Sequence, residues 1–380
     1  MTDEVEKVEP ALEQDLGRAT AQQESRTQCL LGPAQRAMGL WFSRRYIEGG
    51  RYACYNETAD EKRRTTAAER RTGFDWLLFQ LMLRDQARIG AYRRDIFATV
   101  PGKRVLEIGP GPAALLSRLC LDAGAASVIS VEGDPWVAEQ AVRRLLRERQ
   151  HAGRWRIVPA LSTDLAVDDV DGDPHFDVLV LEVYDTIACR EHVVETVADL
   201  RRRGFSFGAV VSRGFETWVG PSAAPPARPL TRAERLLFGW GAGSVSRVER
   251  KLRNLRSTLH GDLDLIESLR LASAKAWQTA NFQTIEPAHT EAVLTFDLAD
   301  AHRYGGFLLH NRFLFRNGVL DTSVTSTHWG VYFVPLPLPR NVISDARRVT
   351  LRTAVADPAR PSSFTLQAEV AGTTSASQSF

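Results

Sequence analysis

The sequence predicts an α/β protein in which a doubly wound parallel sheet is followed by a β-rich second domain. Three observations lead there. From position 103 to about 215, short apolar runs alternate with helical segments, which is the pattern of a parallel sheet built from βα units. The first of those runs ends in a glycine-rich turn, Gly109-Pro110-Gly111. After Gly220 the composition changes, and strand patterns return between about 284 and 370.

Residues 1–65 read as a leader, polar and charged over 1–27 and partly loose. Residues 66–98 predict helix, because Phe74, Leu77, Leu78, Leu81, Met82, Ala87 and Ile89 leave the polar residues on the other face. Strands are expected at Arg104–Gly109, Ser127–Glu132, Trp155–Pro159, Phe176–Glu182 and Gly208–Phe215, with helices at Ala113–Ala123, Pro135–Gln150 and Glu191–Arg202. The cluster Pro221-Ser222-Ala223-Ala224-Pro225-Pro226 breaks both periods and reads as a linker, which sets a boundary between domains 66–218 and 219–380. Residues 231–279 look helical, and Ala292–Phe296 and Gly330–Val334 look like strands. The tail after Pro358 fades into Ser, Thr, Ala and Gly and is expected to fray in part.

Composition narrows the function. An apolar fraction of 44% and a charged fraction of 25% are ordinary for a soluble globular protein. A net charge of +2 argues against a dedicated nucleic-acid or membrane binder. Arginine far outnumbers lysine, which occurs at Lys7, Lys62, Lys103, Lys251 and Lys275; this reads as the coding bias of a GC-rich bacterium. The cysteines Cys29, Cys54, Cys120 and Cys189 are scattered without metal-type spacing, so neither a zinc site nor a disulfide framework is expected. The acidic start lacks a secretory pattern, and no apolar stretch approaches the roughly 18 residues of a membrane span, so a cytoplasmic location is expected.

The turn after the first strand points to a nucleoside-bearing cofactor. Glycine lets backbone approach a ligand where a Cβ would collide. Glu132 closes the next strand, about 20 positions on, where an acidic side chain holds a ribose hydroxyl pair in doubly wound folds. A dinucleotide fingerprint would place its third glycine at position 114, which is Ala114. A pyrophosphate therefore has less to bind, whereas S-adenosylmethionine carries no phosphate to satisfy. Glycines that serve strand–helix packing alone are the alternative.

The chemistry-bearing residues lie further on. Glu182 and Glu191 stand nine residues apart, just after the apolar run Phe176–Val180. Two carboxylates facing one slot match the planar fork of donors on a guanidinium. Capping of the helix near Glu191 is the plainer reading of that residue. Far downstream stands Thr327-His328-Trp329, whose histidine reads either as a functional group or as a buried structural one.

Taken in order, these motifs resemble the protein arginine N-methyltransferases, a family of class I S-adenosylmethionine-dependent enzymes, from about residue 74 to about 340. Met82-Leu83-Arg84-Asp85-Gln86-Ala87-Arg88 is similar to the family's helix over the cofactor, in which Arg88 would grip the methionyl carboxylate. Glu107, Gly109, Gly111 and Glu132 are similar to its cofactor-binding strand, turn and ribose acid, and Ser162-Thr163-Asp164 falls where it contacts adenine. Glu182 and Glu191 resemble its double-glutamate loop, and Thr327-His328-Trp329 its T-H-W loop on a β-barrel-like domain. The wording around these motifs resembles the monomethylating branch. The resemblance implies a Rossmann-like methyltransferase domain over 66–218, a β-barrel-like domain over 219–380, and a helical arm at about 231–268 that makes a homodimer. It also implies roles: Glu182, Glu191, His328 and Asp85 in catalysis, with His328 paired to Asp85; Met82, Arg88, Glu107, Gly109, Gly111, Glu132, Thr163 and Asp164 on the cofactor; Glu182, Glu191 and Trp329 on the substrate.

Three departures bear on substrate. Ala113 replaces the third glycine of the family's turn, Phe74, Trp76 and Phe79 stand in place of its tyrosine pair, and Ala188-Cys189-Arg190 replaces apolar residues before the second glutamate. Relatives in bacterial natural-product pathways methylate free L-arginine, so free arginine is placed slightly ahead of an arginine-containing peptide. An inactive methyltransferase-fold partner and a methylase of another small amine or hydroxyl are the other readings.

Overall fold

In the computed structural model, residues 82–226, 258–259, 262–284, 291–344, 346–357 and 360–379 are described. The leader, Phe74, Trp76, Phe79, Cys29, Cys54 and most of the expected arm lie outside them.

The first layer is a five-stranded parallel sheet made of β1 (Arg104–Ile108), β2 (Ser127–Val131), β3 (Trp155–Val158), β4 (His175–Leu181) and β5 (Ser206–Val211), in the order β3-β2-β1-β4-β5. Helices α1 (Gln86–Thr99), α2 (Leu115–Asp122), α3 (Pro135–Leu145) and α4 (Val193–Arg202) accompany it. The strands are continuous apolar runs because both faces are covered: Val105, Leu106, Val178, Leu179 and Val180 are buried. Each such side chain contributes about 1.5–3 kcal/mol over its exposed state. Strand order reverses between β1 and β4, whose last residues Ile108 and Leu181 pair. Doubly wound sheets open their ligand crevice at the carboxyl ends of such a switch.

The elements differ from expectation where local chemistry intervenes. Asp85 interrupts the expected 66–98 helix, since its side chain accepts from the Arg88 amide as the N-cap of α1. Ala114, not Ala113, precedes α2, in a left-handed conformation with φ 47°. The helix expected to run to Gln150 ends at Leu145, and the chain turns where Glu148 gathers Arg118 and Arg144. His192, with φ 61°, separates the 3-10 turn Ala188–Glu191 from α4, so Glu191 is not in that helix. Expected strand Gly208–Phe215 is two strands. β5 ends at Val211; after Ser212, Arg213 bonds to Leu314 of another sheet, and β6 (Gly214–Ala223) begins.

The second half consists of two antiparallel sheets. One has the order β7-β12-β10-β6-β8, from β6, β7 (Thr258–Leu259), β8 (Lys275–Asn281), β10 (Tyr304–Phe315) and β12 (Val331–Pro335), with β11 (Gly318–Asp321) on β10. The other has the order β15-β14-β13-β9, from β9 (Ala292–Asp297), β13 (Arg348–Asp357), β14 (Arg360–Val370) and β15 (Thr373–Thr374), with β16 (Gln378–Ser379) on β14. The proline cluster is in part strand: Pro221 pairs with Phe307, and its carbonyl accepts from Leu271 where no partner strand needs its missing N–H. Within the expected helical stretch 231–279, the described residues hold one helix, α5 (Leu263–Leu269), and the strands β7 and β8. The expected arm thus ends in strand β7 and helix α5, and its residues 231–257 lie outside the description. The tail is ordered through β14, whose Phe364, Leu366, Ala368 and Val370 are buried on a period of two. Those positions make the Ser-rich sequence a half-buried strand.

Candidate active site

The crevice at the switch point collects most of the expected residues. On the β1 side the chain leaves Ile108 through Gly109 and Gly111, with φ 73° and 65°. These are left-handed values that glycine adopts without strain. A Cβ on Gly109 would stand 3.1 Å from the Val183 side chain, so the turn packs against the loop that follows β4. The Gly111 amide donates to Glu132 Oε2 at 3.3 Å, and the Asp134 amide donates to Oε1 at 3.1 Å. Burial raises the Glu132 carboxyl above its ordinary value, with those amides opposing. Glu107 is buried near the end of β1, with its carboxylate bonded to α2 and β2. Its Oε2 accepts from the hydroxyls of Ser117 and Ser130, the latter at 2.6 Å, while Oε1 has no hydrogen-bond partner. Thr163 and Asp164 are exposed beyond β3, bonded to each other at 3.3 Å. Leu161 brings their segment beside Glu132, because its side chain fills the space a Cβ on Gly133 would take.

On the β4 side the chain delivers Glu182 into a buried charge cluster. Arg88 Nη1 lies 2.9 Å from Glu182 Oε2, and Arg88 Nη2 donates to the Met82 carbonyl at 2.8 Å. Arg88 Nε is buried without a hydrogen-bond partner among the described residues. Asp85, two turns' reach from the same cluster, accepts from the Arg88 amide at 2.9 Å and from the His328 amide at 2.9 Å. His328 Nδ1 lies 2.8 Å from Asp85 Oδ2, and its Nε2 lies 4.0 Å from Glu182 Oε1. Burial pushes the Asp85 carboxyl up, but His328 and the two amides overcome it and hold Asp85 below the ordinary range. An ionised Asp85 fixes the proton of the imidazole on Nδ1. Burial raises the Glu182 carboxyl, and Glu191 adds to the rise while Arg88 and His328 oppose it. Glu182 Oε1 has no donor among the described residues. An orphaned buried carboxylate oxygen costs about 1–3 kcal/mol, more for a charged group, unless a ligand supplies the donor.

The loop to Glu191 is pinned by the antiparallel sheets. Trp329 is buried, and its Nε1–H donates to the Tyr184 carbonyl at 2.9 Å. Its ring packs on Phe313 and His328, with centroids 4.1 and 4.4 Å away. Cys189 donates to Gln278 Oε1 at 3.2 Å, and burial pushes its thiol up to about 12, so it is neutral and inert. Arg190 lies 3.6 Å from Asp185, inside the loop. Glu191 is half-buried at the end of its 3-10 turn. Sequence reasoning missed Asn311, Gln278 and Leu161. Asn311 shares one face of β10 with the buried Leu309 and Phe313, and a polar residue on that inward face is the signal that marks it.

No family model matches the sequence, and no curated protein matches it either. Solved structures do. PRMT6 with SAH is similar over 77% of this chain and 99% of that one, with a TM-score of 0.56 and 17% identity. Protein arginine methyltransferase 10 of Arabidopsis thaliana, in an open conformation, is similar over 80% and 95%, at 0.54 and 16%. The Trypanosoma brucei PRMT1 enzyme–prozyme complex with AdoHcy is similar over 80% and 97%, at 0.55 and 17%. The chain has the fold of these methyltransferases: a Rossmann-like parallel sheet joined to a β-barrel-like pair of antiparallel sheets.

Proposed function

We propose that this protein transfers a methyl group from S-adenosylmethionine to the guanidino nitrogen of arginine. One observation carries the reading: Glu182, buried at the switch-point crevice, has one oxygen on Arg88 and the other with no donor. A guanidinium supplies what that oxygen lacks, a planar pair of N–H donors with a charge that survives burial.

The residues present fit the cofactor. The Gly109–Gly111 turn takes left-handed backbone that glycine adopts without strain, Glu132 accepts from its Gly111 amide, and among the described residues buried Arg88 Nε is a donor in want of a carboxylate. Gly109, Gly111 and Glu132 would hold the nucleoside, with Thr163 and Asp164 at the base, and Met82 and Arg88 the amino-acid end. Glu107 would act from beneath, as the support of the turn. The cofactor supplies an electrophilic methyl on a sulfonium.

The rest is the protein's own work. Glu182 and Glu191 hold the guanidinium and draw its charge away from the attacking nitrogen, and such alignment lowers a barrier by several kcal/mol. His328, its Nδ1 proton fixed by Asp85, offers Nε2 beside Glu182 as the exit for the proton released. Trp329 serves the substrate by holding the loop. The domain division at 218/219, the homodimer and a cytoplasmic location belong to the same reading. Free L-arginine is preferred over peptidyl arginine, and no nucleic acid, membrane or metal is required. Among the described residues no helix is long and apolar enough to cross a membrane.

Mass spectrometry of reactions with S-adenosylmethionine and either free L-arginine or an arginine-rich peptide tests the proposal. One methyl mass on free arginine is the expected outcome; mass only on the peptide moves the substrate to proteins. No gain on either, with no cofactor binding by calorimetry, leaves an inactive scaffold.

A further inference from the structure

Asn311 lies in the middle of β10, fully buried, with its side chain turned toward the loop between Glu182 and Glu191. Its Nδ2 donates to the Thr186 carbonyl at 2.8 Å and, at 3.5 Å, to that of Asp185. Its Oδ1 accepts from the Ala188 amide at 3.3 Å and from the Thr217 hydroxyl of β6 at 3.0 Å. Its own amide donates to the Thr322 hydroxyl at 3.1 Å, which fixes the strand from which it reaches. One side chain therefore meets three residues of the loop. It does so with donors and acceptor sorted, donors to carbonyls and acceptor to N–H.

We propose that Asn311 is the positioning residue that sets the path of this loop and thereby the separation of the Glu182 and Glu191 carboxylates. The proposal rests on the methyl-transfer reading for its catalytic meaning. Glu182 directly follows β4 and is held by the parallel sheet, whereas Glu191 ends a 3-10 turn that starts at Ala188, the residue Asn311 grips. Releasing Ala188 and Thr186 moves Glu191 relative to Glu182. Only an amide fits the place. Aspartate sets an oxygen against the Thr186 carbonyl, and leucine removes every one of these side-chain bonds at once. The cofactor turn follows β1 and meets the loop only at Val183, beside Glu182 and ahead of the residues Asn311 bonds, so cofactor affinity is predicted to change little.

The test uses the full chain with Asn311→Leu and Asn311→Asp. Hydrogen exchange of the 183–190 amides is expected to be at least about 10-fold faster in Asn311→Leu, with the rest of β4 and β10 unchanged. Turnover of whichever guanidine the wild type accepts is expected to fall about 30- to 100-fold, with a higher KM for it, while calorimetric binding of S-adenosylmethionine stays within about 2-fold. Asn311→Asp, which keeps the acceptor, is expected to lie between, and it decides the question if Asn311→Leu does not fold. Unchanged loop exchange, exchange raised uniformly through the protein, or turnover within about 3-fold of wild type overturns the proposal. If the wild type methylates neither guanidine, the methyl-transfer reading fails; the exchange result still decides whether Asn311 holds the loop.

Discussion

Two buried glutamates lie at the carboxyl edge of the same parallel sheet, and their surroundings differ. Glu107, under the glycine turn, has neutral donors among the described residues: the hydroxyls of Ser117 and Ser130 and the Ser117 amide. Glu182, across the switch point, has the Arg88 guanidinium at 2.9 Å on one oxygen and His328 at 4.0 Å from the other. In each, one oxygen is left without a partner. Burial lifts Glu107 from an ordinary 4.5 to about 7, against the pull of both hydroxyls. Two hydroxyls do not replace lost water around a charge, and a proton settles the account for Glu107. Glu182 instead has one guanidinium on one oxygen and an imidazole near the other, and under the proposed reaction a second guanidinium completes it. The same residue type thus braces a turn in one place and is proposed to hold substrate in the other.

The largest break in this comparison is Glu182→Gln. It should lower turnover by about 10³-fold on the proposed reaction, as loss of an electrostatic group aimed at the transition state does. It also strands the Arg88 charge, and removing one partner of a buried ion pair costs about 3–5 kcal/mol. Rates measured beside urea denaturation check both; turnover within a few-fold of wild type would remove Glu182 from the mechanism.

Glu107→Gln sharpens the other side. Because its pKa is higher in the folded state, the native protein binds this proton more tightly than the unfolded chain. Stability is therefore highest below about pH 4.5 and falls as pH rises to about 7, by roughly 3 kcal/mol from this group. Glutamine should flatten that fall and make the variant the more stable of the two at pH 8. Urea midpoints at pH 5 and 8 read the difference, and parallel midpoints for both proteins would deny Glu107 its raised pKa.

Asp85→Ala tests how the cation side is assembled. It removes the cap of α1 and the carboxylate that fixes His328, so a loss of about 1–2 kcal/mol is expected along with a roughly 10- to 100-fold fall in turnover. Loss of stability with no change in rate would confine Asp85 to capping. The smallest effect expected is that of Trp329→Phe, which keeps the ring packing and removes the bond to the Tyr184 carbonyl, at about 1 kcal/mol. Thermal melts should show a small fall in Tm.

Much of this was legible in the sequence where one residue type answers one local demand. The strands of the parallel sheet, the glycine turn and Glu132 were placed by apolar runs and by the needs of a tight turn. Local patterning failed where tertiary pairing decides the outcome. Lys275–Asn281 has the composition of a helix and is a strand because β6 offers it an edge. Pro221 breaks a pattern yet sits in β6, on the side where no ladder asks for its N–H. Glu107, expected on the cofactor, bonds the hydroxyls of Ser117 and Ser130, contacts that a reading along the chain does not reveal. Asn311 escaped because its partners in the loop are more than a hundred residues away in the chain.

That distance has a consequence for how the protein is made. His328 and Asp85 are 243 residues apart in sequence and 2.8 Å apart in space. During synthesis the glycine turn, Glu132 and both carboxylates of the loop leave the ribosome long before Thr327-His328-Trp329 does. A chain halted in between carries the parts for holding a cofactor without the imidazole that completes the charge cluster. The buried charge cluster is therefore completed only once Thr327-His328-Trp329 has been made, however early its other members fold.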